Sequence, residues 1–455
     1  MSKQIIKNRS LILCIVGIVL FLLLLKNAHA LPSFERQTGM SCNACHTVFP
    51  ELTPLGRTFK LGGYVLSKSN KPYEFPPPLA GLAQVSFTHT KKSQPPGFID
   101  DTWATRVTSS GNNVLNLPQE LSLYYGGRII YNIGAFVQGT YDGASNTFLL
   151  DMTDIRYANN AIVGGKKLIY GLTINNSPTL EDVWNSTPVW GFPSATSSIA
   201  PTPAAGTIID GALDQQVGGI GIYTLWNNLI YGAVSFYRTN ERGITKPLGA
   251  GTTTEMVVDG IAPYWRLAIQ HQWENHSLSV GTYGIMAKIF PEGNNSGPTD
   301  KFTDIAFDAQ YQYISKKHIF SVQNTWIHEK QNWDASFTLN NTANRSNSLD
   351  TFKVNLNYYY RSQVGTIGGT VSYFSTTGDT DTILYSPEIV NGSRTGSTNS
   401  NGFNLEADYL PWEKLKFSVQ YITYNKFNGA RSNYDGFGRD ASDNNTLYFL
   451  VWLMF

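Results

Sequence analysis

The stretch that decides the fold is NTLYFLVWLMF, residues 445–455. One phase of it, from Leu447 to Phe455, consists of large apolar side chains at every second position. A period of two is that of a β-strand, whose successive side chains point to opposite faces. The stretch therefore predicts a strand with an apolar face, which covers either lipid or, as in an ordinary edge strand, a protein core.

A strand that reaches a C-terminal Phe resembles the recognition strand of outer-membrane proteins, to which the barrel-assembly machinery binds. The same alternation recurs along most of the chain. From Leu79 onwards we find sixteen such stretches, each about ten to fourteen residues long. They begin near Leu79, Gln119, Tyr131, Thr147, Ile162, Gln216, Leu229, Ile261, Leu278, Phe302, His318, Phe352, Gly365, Gly402, Leu415 and Asn445.

The connections between these stretches alternate in length. Short periplasmic turns and long external loops around an even number of strands are typical of outer-membrane barrels, whereas a soluble β-sandwich lacks this asymmetry. The sequence therefore predicts an all-β fold, a 16-stranded antiparallel transmembrane β-barrel. Short turns are expected around 129–130, 159–160, 227–228, 274–276, 315–317, 361–362 and 411–413, and longer loops around 93–117, 142–146, 177–214, 240–260, 291–300, 334–349, 378–400 and 428–444.

Composition agrees with this fold and excludes others. Of the 455 residues, 15% are charged and 13% aromatic, and the mean hydropathy is −0.20, which excludes a bundle of membrane-spanning helices. Low charge with many aromatic residues suits half-strands that face lipid, with Trp and Tyr at the interfaces. Three cysteines are too few for a disulfide-stapled scaffold.

The first thirty residues predict export. Lys3, Lys7 and Arg9 precede an apolar run over 11–25, and Ala30 offers a cleavage position, so we expect residues 1–30 to be a signal peptide. An uncleaved anchor helix is the alternative, although the run is short for one. Cleavage removes four basic groups and no acid, which changes the formal charge from +1 to −3. Neither value favours nucleic-acid binding.

Export leaves two cysteines, and they lie in Cys42-Asn43-Ala44-Cys45-His46. Cys-x-x-Cys-His is the attachment pattern of c-type haem, because two thiols can bind the two vinyl groups and the next imidazole can bind the iron. A disulfide, a thioredoxin-like redox pair and a zinc site are the alternatives. We predict one covalently attached haem c, with Cys42 and Cys45 as its thioether links and His46 as the axial iron ligand.

The residues around this motif predict a small helical haem domain over 31–75. Thr53-Pro54 is typical of a helix start, and the helix is expected to stop at Gly62. Leu55 and Phe59, four positions apart, would cover the porphyrin from one helix face. Arg36, Arg57 and Lys60 would either pair with haem propionates or lie on a solvated face. A polyproline run then separates this domain from the barrel, residues 76–455.

Because about 45 residues are too few to wrap a porphyrin alone, we expect the haem segment to fold into the barrel lumen. The second axial ligand is then sought on the inner wall, where strand phase suggests Met152, Met286 and Met454 as candidates. Packing in the lumen or the wall is the more common role of any one methionine, and the second axial ligand stays open.

The segment from Pro32 to His46, with Pro50, Gly56 and Tyr64 after it, resembles the haem region of the fused monohaem cytochrome–porin family of iron-oxidising and related bacteria. The resemblance implies a bacterial outer-membrane electron conduit that passes electrons from an extracellular donor, Fe(II) in the best-known members, to a periplasmic carrier such as a soluble cytochrome. It thus includes Fe(II) oxidation among the expected activities. The alternative is a diffusion porin whose haem-bearing plug gates or senses without net electron transfer.

Overall fold

The computed structural model describes residues 33–65, 77–95, 111–187, 197–239 and 255–455. The predicted signal peptide, 1–30, and the polyproline boundary near residue 76 lie outside the described residues. Within these ranges almost all regular structure is β-strand.

Sixteen antiparallel strands follow one another around a single sheet, and the pairing of the first with the last closes it. The predicted 16-stranded barrel is thus confirmed. A further two-residue strand, Val257–Val258, pairs with the end of β9. The strands are β1 Leu79–Thr90, β2 Asn113–Ile130, β3 Ile133–Asp142, β4 Thr147–Val163, β5 Lys166–Asn175, β6 Gly218–Trp226, β7 Ile230–Arg238, β8 Ala262–Trp273, β9 His276–Phe290, β10 Asp300–Ile314, β11 His318–Asn332, β12 Ser346–Ser362, β13 Gly365–Gly378, β14 Ser400–Trp412, β15 Leu415–Lys426 and β16 Thr446–Met454.

The turn predicted at 159–160 is wrong. Asn159 and Asn160 lie inside β4, paired with β5, and the chain turns at Gly164 and Gly165 instead. Both glycines have positive φ, 61° and 72°, which the tight turn requires and which glycine adopts without strain. The asparagines misled because Asn is frequent in turns, but here the strands simply continue beyond them.

The two faces of the sheet differ sharply. In β8, Leu267 and Ile269 on one face are 57% and 61% exposed. Tyr264 and Arg266, on the other face of the same strand, are each 1% exposed. Polar residues therefore point inwards and apolar ones outwards. A closed up-and-down barrel with an apolar exterior has no unpaired strand edge to expose to lipid, and it is the architecture of outer-membrane, porin-like barrels.

Four short α-helices accompany the strands, and none of the helices in the described ranges is long and apolar enough to cross a membrane. They are α1 Ser33–Thr38, α2 Cys42–Cys45, α3 Pro54–Leu61 and α4 Asp334–Thr338, with 3-10 turns at Pro178–Glu181, Pro291–Gly293 and Ala441–Asn444 and a π-helical turn at Ile208–Ala212.

Two pieces of chain pack against the inner wall. The first is residues 33–65, called the N-terminal segment below. The second is the connection from β5 to β6, whose described residues, 176–187 and 197–217, we call the inward loop. Sequence placed this connection outside, among the external loops, but its Trp184 is buried and its carbonyl oxygen accepts hydrogen bonds from Gln310 and Gln323 on the inner wall, at 2.8 and 2.9 Å.

Candidate haem site

The motif cysteines lie on a single helical turn. In α2, Cys42 and Cys45 are three positions apart, which places both side chains on one face. Both thiols are free and half-buried. His46 follows at the C-cap in extended conformation, and its backbone N–H donates to the Cys42 carbonyl at 2.9 Å. This arrangement presents two thiols and an imidazole within one short stretch, as a covalently attached haem needs.

Helix α3 braces this turn. Thr53 is the N-cap, as predicted: its hydroxyl accepts from the Gly56 N–H at 3.2 Å and donates to the Ala44 carbonyl at 2.7 Å. The Thr53 N–H also donates to the Cys45 carbonyl at 2.9 Å. A Cβ on Gly56 would stand 2.2 Å from the same Cys45 oxygen, so the close approach of α3 to α2 requires glycine there.

The helix faces differ from expectation at one residue. Leu55 is 38% exposed, whereas Phe59 is only 6% exposed. Phe59 packs edge-on against Phe34 with ring centroids 4.9 Å apart. The prediction that Leu55 and Phe59 cover one porphyrin face is therefore wrong for Phe59, which packs within the segment. His46, Phe49 and Leu52 are half-buried and continue the apolar side of Leu55.

Two observations argue against a thioredoxin-like redox pair and are compatible with a haem. Burial, together with Glu35 and Glu413, raises the pKa of Cys42 to about 12, and burial also raises the pKa of Cys45. A reactive dithiol pair needs a lowered thiol pKa. The His46 Nδ1 atom is buried without a hydrogen-bond partner, and burial lowers the pKa of His46 to about 4, so the imidazole is neutral, the form that binds metals. The residues present therefore fit a covalently attached haem.

No group of three or more His, Cys, Asp or Glu side chains within the described ranges is placed to hold a metal ion.

Arg57 joins the segment to the barrel wall. Its Nη1 donates to Gln310 and Gln312, each at 2.9 Å, and its Nη2 donates to Ser277 at 2.8 Å. Burial lowers the pKa of Arg57 to about 9. The guanidinium is thus committed to neutral amides and a hydroxyl of β9 and β10, and its prediction as a propionate partner is wrong.

The other two predicted cations are also engaged elsewhere. Lys60 lies 3.9 Å from Asp154 of β4, and burial lowers the pKa of its ammonium group to about 8. Arg36 donates to the Leu79 carbonyl. Lys60 therefore neither lies on a solvated face nor is available to a propionate, because the buried Asp154 carboxylate of the wall is its partner.

Glu51 is a further anchor that sequence reasoning missed. It is 2% exposed and accepts hydrogen bonds from Thr47 at 2.7 Å, from Ser321 at 2.9 and 3.0 Å, and from Asn357. Burial raises the pKa of Glu51 despite these bonds. The one indication in the sequence is that Ser321 in β11 and Asn357 in β12 are polar residues in the inward phase of their strands. That phase shows that they face the lumen, but it does not show that Glu51 is their partner.

The methionine candidates for the second axial position separate clearly. Met152 and Met286 are 42% and 46% exposed on the outer face of the barrel, so their predicted inward orientation is wrong. A shift of register between β3 and β4 reverses the phase at Met152. Met454 shares its strand face with Trp452, whose ring lies 6.2 Å from that of Phe49. Of the three, Met454 is the one on the side of the N-terminal segment.

No protein-family model and no curated protein sequence matches the chain. Among solved structures, it is similar to the outer membrane channel DcaP of Acinetobacter baumannii (10% identity, TM-score 0.45, covering 83% of this chain and 96% of that one). It is similar also to the anion-selective porin from Comamonas acidovorans (10%, 0.44, 83% and 98%) and to OmpT of Vibrio cholerae (9%, 0.41, 83% and 96%).

Proposed function

We propose that this protein is an outer-membrane electron conduit in which one haem, attached at Cys42 and Cys45 and ligated by His46, accepts electrons from an extracellular donor and delivers them to a periplasmic carrier. The observation that carries the proposal is the position of the Cys-x-x-Cys-His turn on a segment fixed to the inner wall by Arg57 and Glu51. A haem bound there would supply a one-electron carrier inside the membrane.

The chain's own residues do the rest of the work. Arg57 and Glu51 hold the segment in one orientation, because a buried charge that loses its hydrogen bonds is strongly penalised. The inward loop lies against the same wall, and Gln310 contacts both pieces: it accepts from Arg57 and donates to the Trp184 carbonyl. With the lumen occupied by the segment and the loop, charge transfer is separated from the leakage of ions and solutes.

Fe(II) is the donor we propose, on the strength of the resemblance of residues 32–64 to the cytochrome–porin fusions. Each Fe(II) that becomes Fe(III) outside gives up one electron, and a soluble periplasmic cytochrome takes up one electron in exchange. The outer-membrane lipid is the remaining partner, in contact with the apolar exterior.

The first experiment measures haem attachment. We expect the protein, exported by a host that matures c-type cytochromes, to retain one haem per chain after denaturation, as quantified by its pyridine haemochrome spectrum. The double variant Cys42→Ala/Cys45→Ala should lose it entirely, and the exposed neighbour Met40→Ala should keep it. Wild-type protein without covalent haem would contradict the proposal.

The second experiment separates conduit from porin. Proteoliposomes that enclose a soluble c-type cytochrome are given Fe(II) outside, and reduction of the enclosed cytochrome is followed by absorbance. We expect reduction with wild type and none with the double cysteine variant. In planar bilayers the wild-type conductance should be low; an open pore of porin size with no reduction would favour the diffusion porin.

A further inference from the structure

Two residues near the Cys-x-x-Cys turn, at the short-turn end of the barrel, carry buried hydrogen-bond donors that have no partner among the described residues. These donors are Nε and Nη2 of Arg361 in β12 and Nε1 of Trp452 in β16. A buried donor without an acceptor costs about 1–3 kcal/mol, and more when it is charged. Both positions therefore call for a ligand that carries hydrogen-bond acceptors, and an anionic one at Arg361.

Arg361 lies beside the Cys-x-x-Cys turn. It shares the inner face of β12 with Asn357, which donates to Glu51, and with Tyr359, which packs against Val48. The negative charge of Glu413 interacts electrostatically with Arg361. The same carboxylate accepts a hydrogen bond from the Asn43 side chain at 2.7 Å. Asn43 is the residue after Cys42.

Trp452 contacts the segment at Phe49. Its ring lies 6.2 Å from Phe49, whose ring in turn lies 4.5 Å from that of His46. The unpartnered donors thus lie near the stretch that carries Cys42 and His46.

The other charged groups in this part of the lumen already have partners. Lys414 pairs with Glu35 at 3.0 Å. Lys416 pairs with Glu406 at 3.0 Å and with Asp408 at 3.5 Å. Arg57 also has an unpartnered Nε, but its two Nη atoms are bonded to the wall, whereas at Arg361 both Nε and Nη2, one edge of the guanidinium, have no partner among the described residues.

We propose that Arg361 binds a propionate carboxylate of the haem attached at Cys42 and Cys45, and that the indole N–H of Trp452 donates a further hydrogen bond to a propionate. This inference rests on the proposed haem attachment. The guanidinium fork matches the two oxygens of a carboxylate, and a propionate is the acceptor that a haem brings to such a donor. Arg361 is then a positioning residue that also tunes the reduction potential.

The test measures the midpoint potential of the covalently attached haem in Arg361→Gln, Arg361→Lys and Trp452→Phe. A positive charge near the propionate favours the reduced haem, so Arg361→Gln should raise the ratio of oxidised to reduced haem at a fixed potential about tenfold, which is a potential lower by ~59 mV. Arg361→Lys keeps the positive charge, so its midpoint potential should stay close to that of wild type. Trp452→Phe keeps the ring against Phe49 and should produce a smaller shift in the same direction.

The exposed Arg345 provides the matched control, and Arg345→Gln should leave the potential unchanged. Haem content and heat-modifiable electrophoretic mobility show for each variant that haem is attached and the barrel is folded. Attached haem with a wild-type potential in both Arg361→Gln and Trp452→Phe would overturn this inference alone. A wild-type protein without covalent haem would overturn the proposed function as well. If Arg361→Gln does not fold, the potentials of Arg361→Lys and Trp452→Phe decide: two unshifted values overturn the inference.

Discussion

The N-terminal segment and the inward loop occupy one lumen, yet different interactions hold them there. The segment's most buried contacts join charged groups to neutral ones, Arg57 to two glutamines and Glu51 to Ser321 and Asn357. Two ion pairs that join it to the wall, Lys60 with Asp154 and Glu35 with Lys414, are partly exposed. The loop is anchored by buried ion pairs, of which Asp182 with Arg266 at 3.2 Å is one. The difference indicates that the loop is the more sensitive of the two to loss of a single charge.

The largest effect is therefore expected at Arg266. This guanidinium is 1% exposed, pairs with Asp182 of the loop and with Asp308 of β10, and lies 5.0 Å from the centre of the Trp184 ring. Arg266→Met leaves two buried carboxylates without their cation, at a cost of about 3–5 kcal/mol. We expect the loop to leave the wall and single-channel conductance to rise several-fold.

The exposed Arg238 supplies the control for that experiment. Arg238→Met should conduct like wild type. Both variants should keep their covalent haem, because among the described residues no ion pair or side-chain hydrogen bond joins either arginine to the N-terminal segment. Unchanged conductance in Arg266→Met would contradict the view that ion pairs fix the inward loop.

The second prediction concerns the segment's own anchor. Arg57→Met removes the donor for Gln310, Gln312 and Ser277 and should cost about 1–3 kcal/mol, less than the loss at Arg266 because no charge is left unpaired. We expect faster cleavage of the segment by a protease added from the periplasmic side. Met40→Ala, at an exposed position of the same segment, is the control, and equal cleavage rates for the two variants would count against the anchoring role.

A third prediction uses pH to loosen the loop alone. Burial raises the pKa of Asp214 to about 7, with Asp151 and Asp210 adding to the shift and a hydrogen bond from Ser177 opposing it. An acid whose pKa is raised in the docked state favours docking while it is protonated. Docking should therefore be strongest at low pH, weaken as pH rises through the range from about 4 to 7, and stay constant above it.

The expected loss is about 1–2 kcal/mol, reduced by the partial exposure of Asp214. Conductance measured between pH 5 and 8 should rise with pH in wild type and stay flat in Asp214→Asn, which resembles the protonated acid. The exposed Asp259→Asn should behave like wild type. A pH profile in Asp214→Asn that matches wild type would assign the effect to another group.

Features that depend on local sequence could be predicted, whereas the contacts that hold the two regions to the wall could not. Strand phase is a local property, so β1, β4, β11, β13 and β15 begin at their predicted residues. The start of β2 is predicted near Gln119, yet pairing with β1 begins at Asn113, and the strand includes Pro118, a residue that is unusual inside a strand. The Cys-x-x-Cys-His pattern is equally local, and so is the Thr53 cap.

Contacts between distant parts of the chain could not be predicted in the same way. The sequence offers Arg57 only a propionate or a solvated face, because its own helix gives no sign of Gln310, which is 253 positions away. The inward loop was placed outside because its composition resembles that of the external loops. The inward phase of Arg266 was visible in β8, but its partners on the loop were not. A strand pattern states which side a residue faces and does not state what fills the space beyond it.

The smallest effect is expected at Thr53, where local signal and structure coincide. Its hydroxyl accepts from the Gly56 N–H and donates to the Ala44 carbonyl, so it ties helix α3 to the turn that carries the cysteines. Thr53→Ala loses the cap at about 1 kcal/mol, whereas Thr53→Ser keeps the hydroxyl and should match wild type. Because the barrel wall still holds the segment through Arg57, we expect full haem attachment at low temperature and a reduced yield only when cells are grown warm, measured as haem per chain. A yield equal to that of Thr53→Ser at every temperature would mean that the wall contacts alone position the Cys42–Cys45 turn.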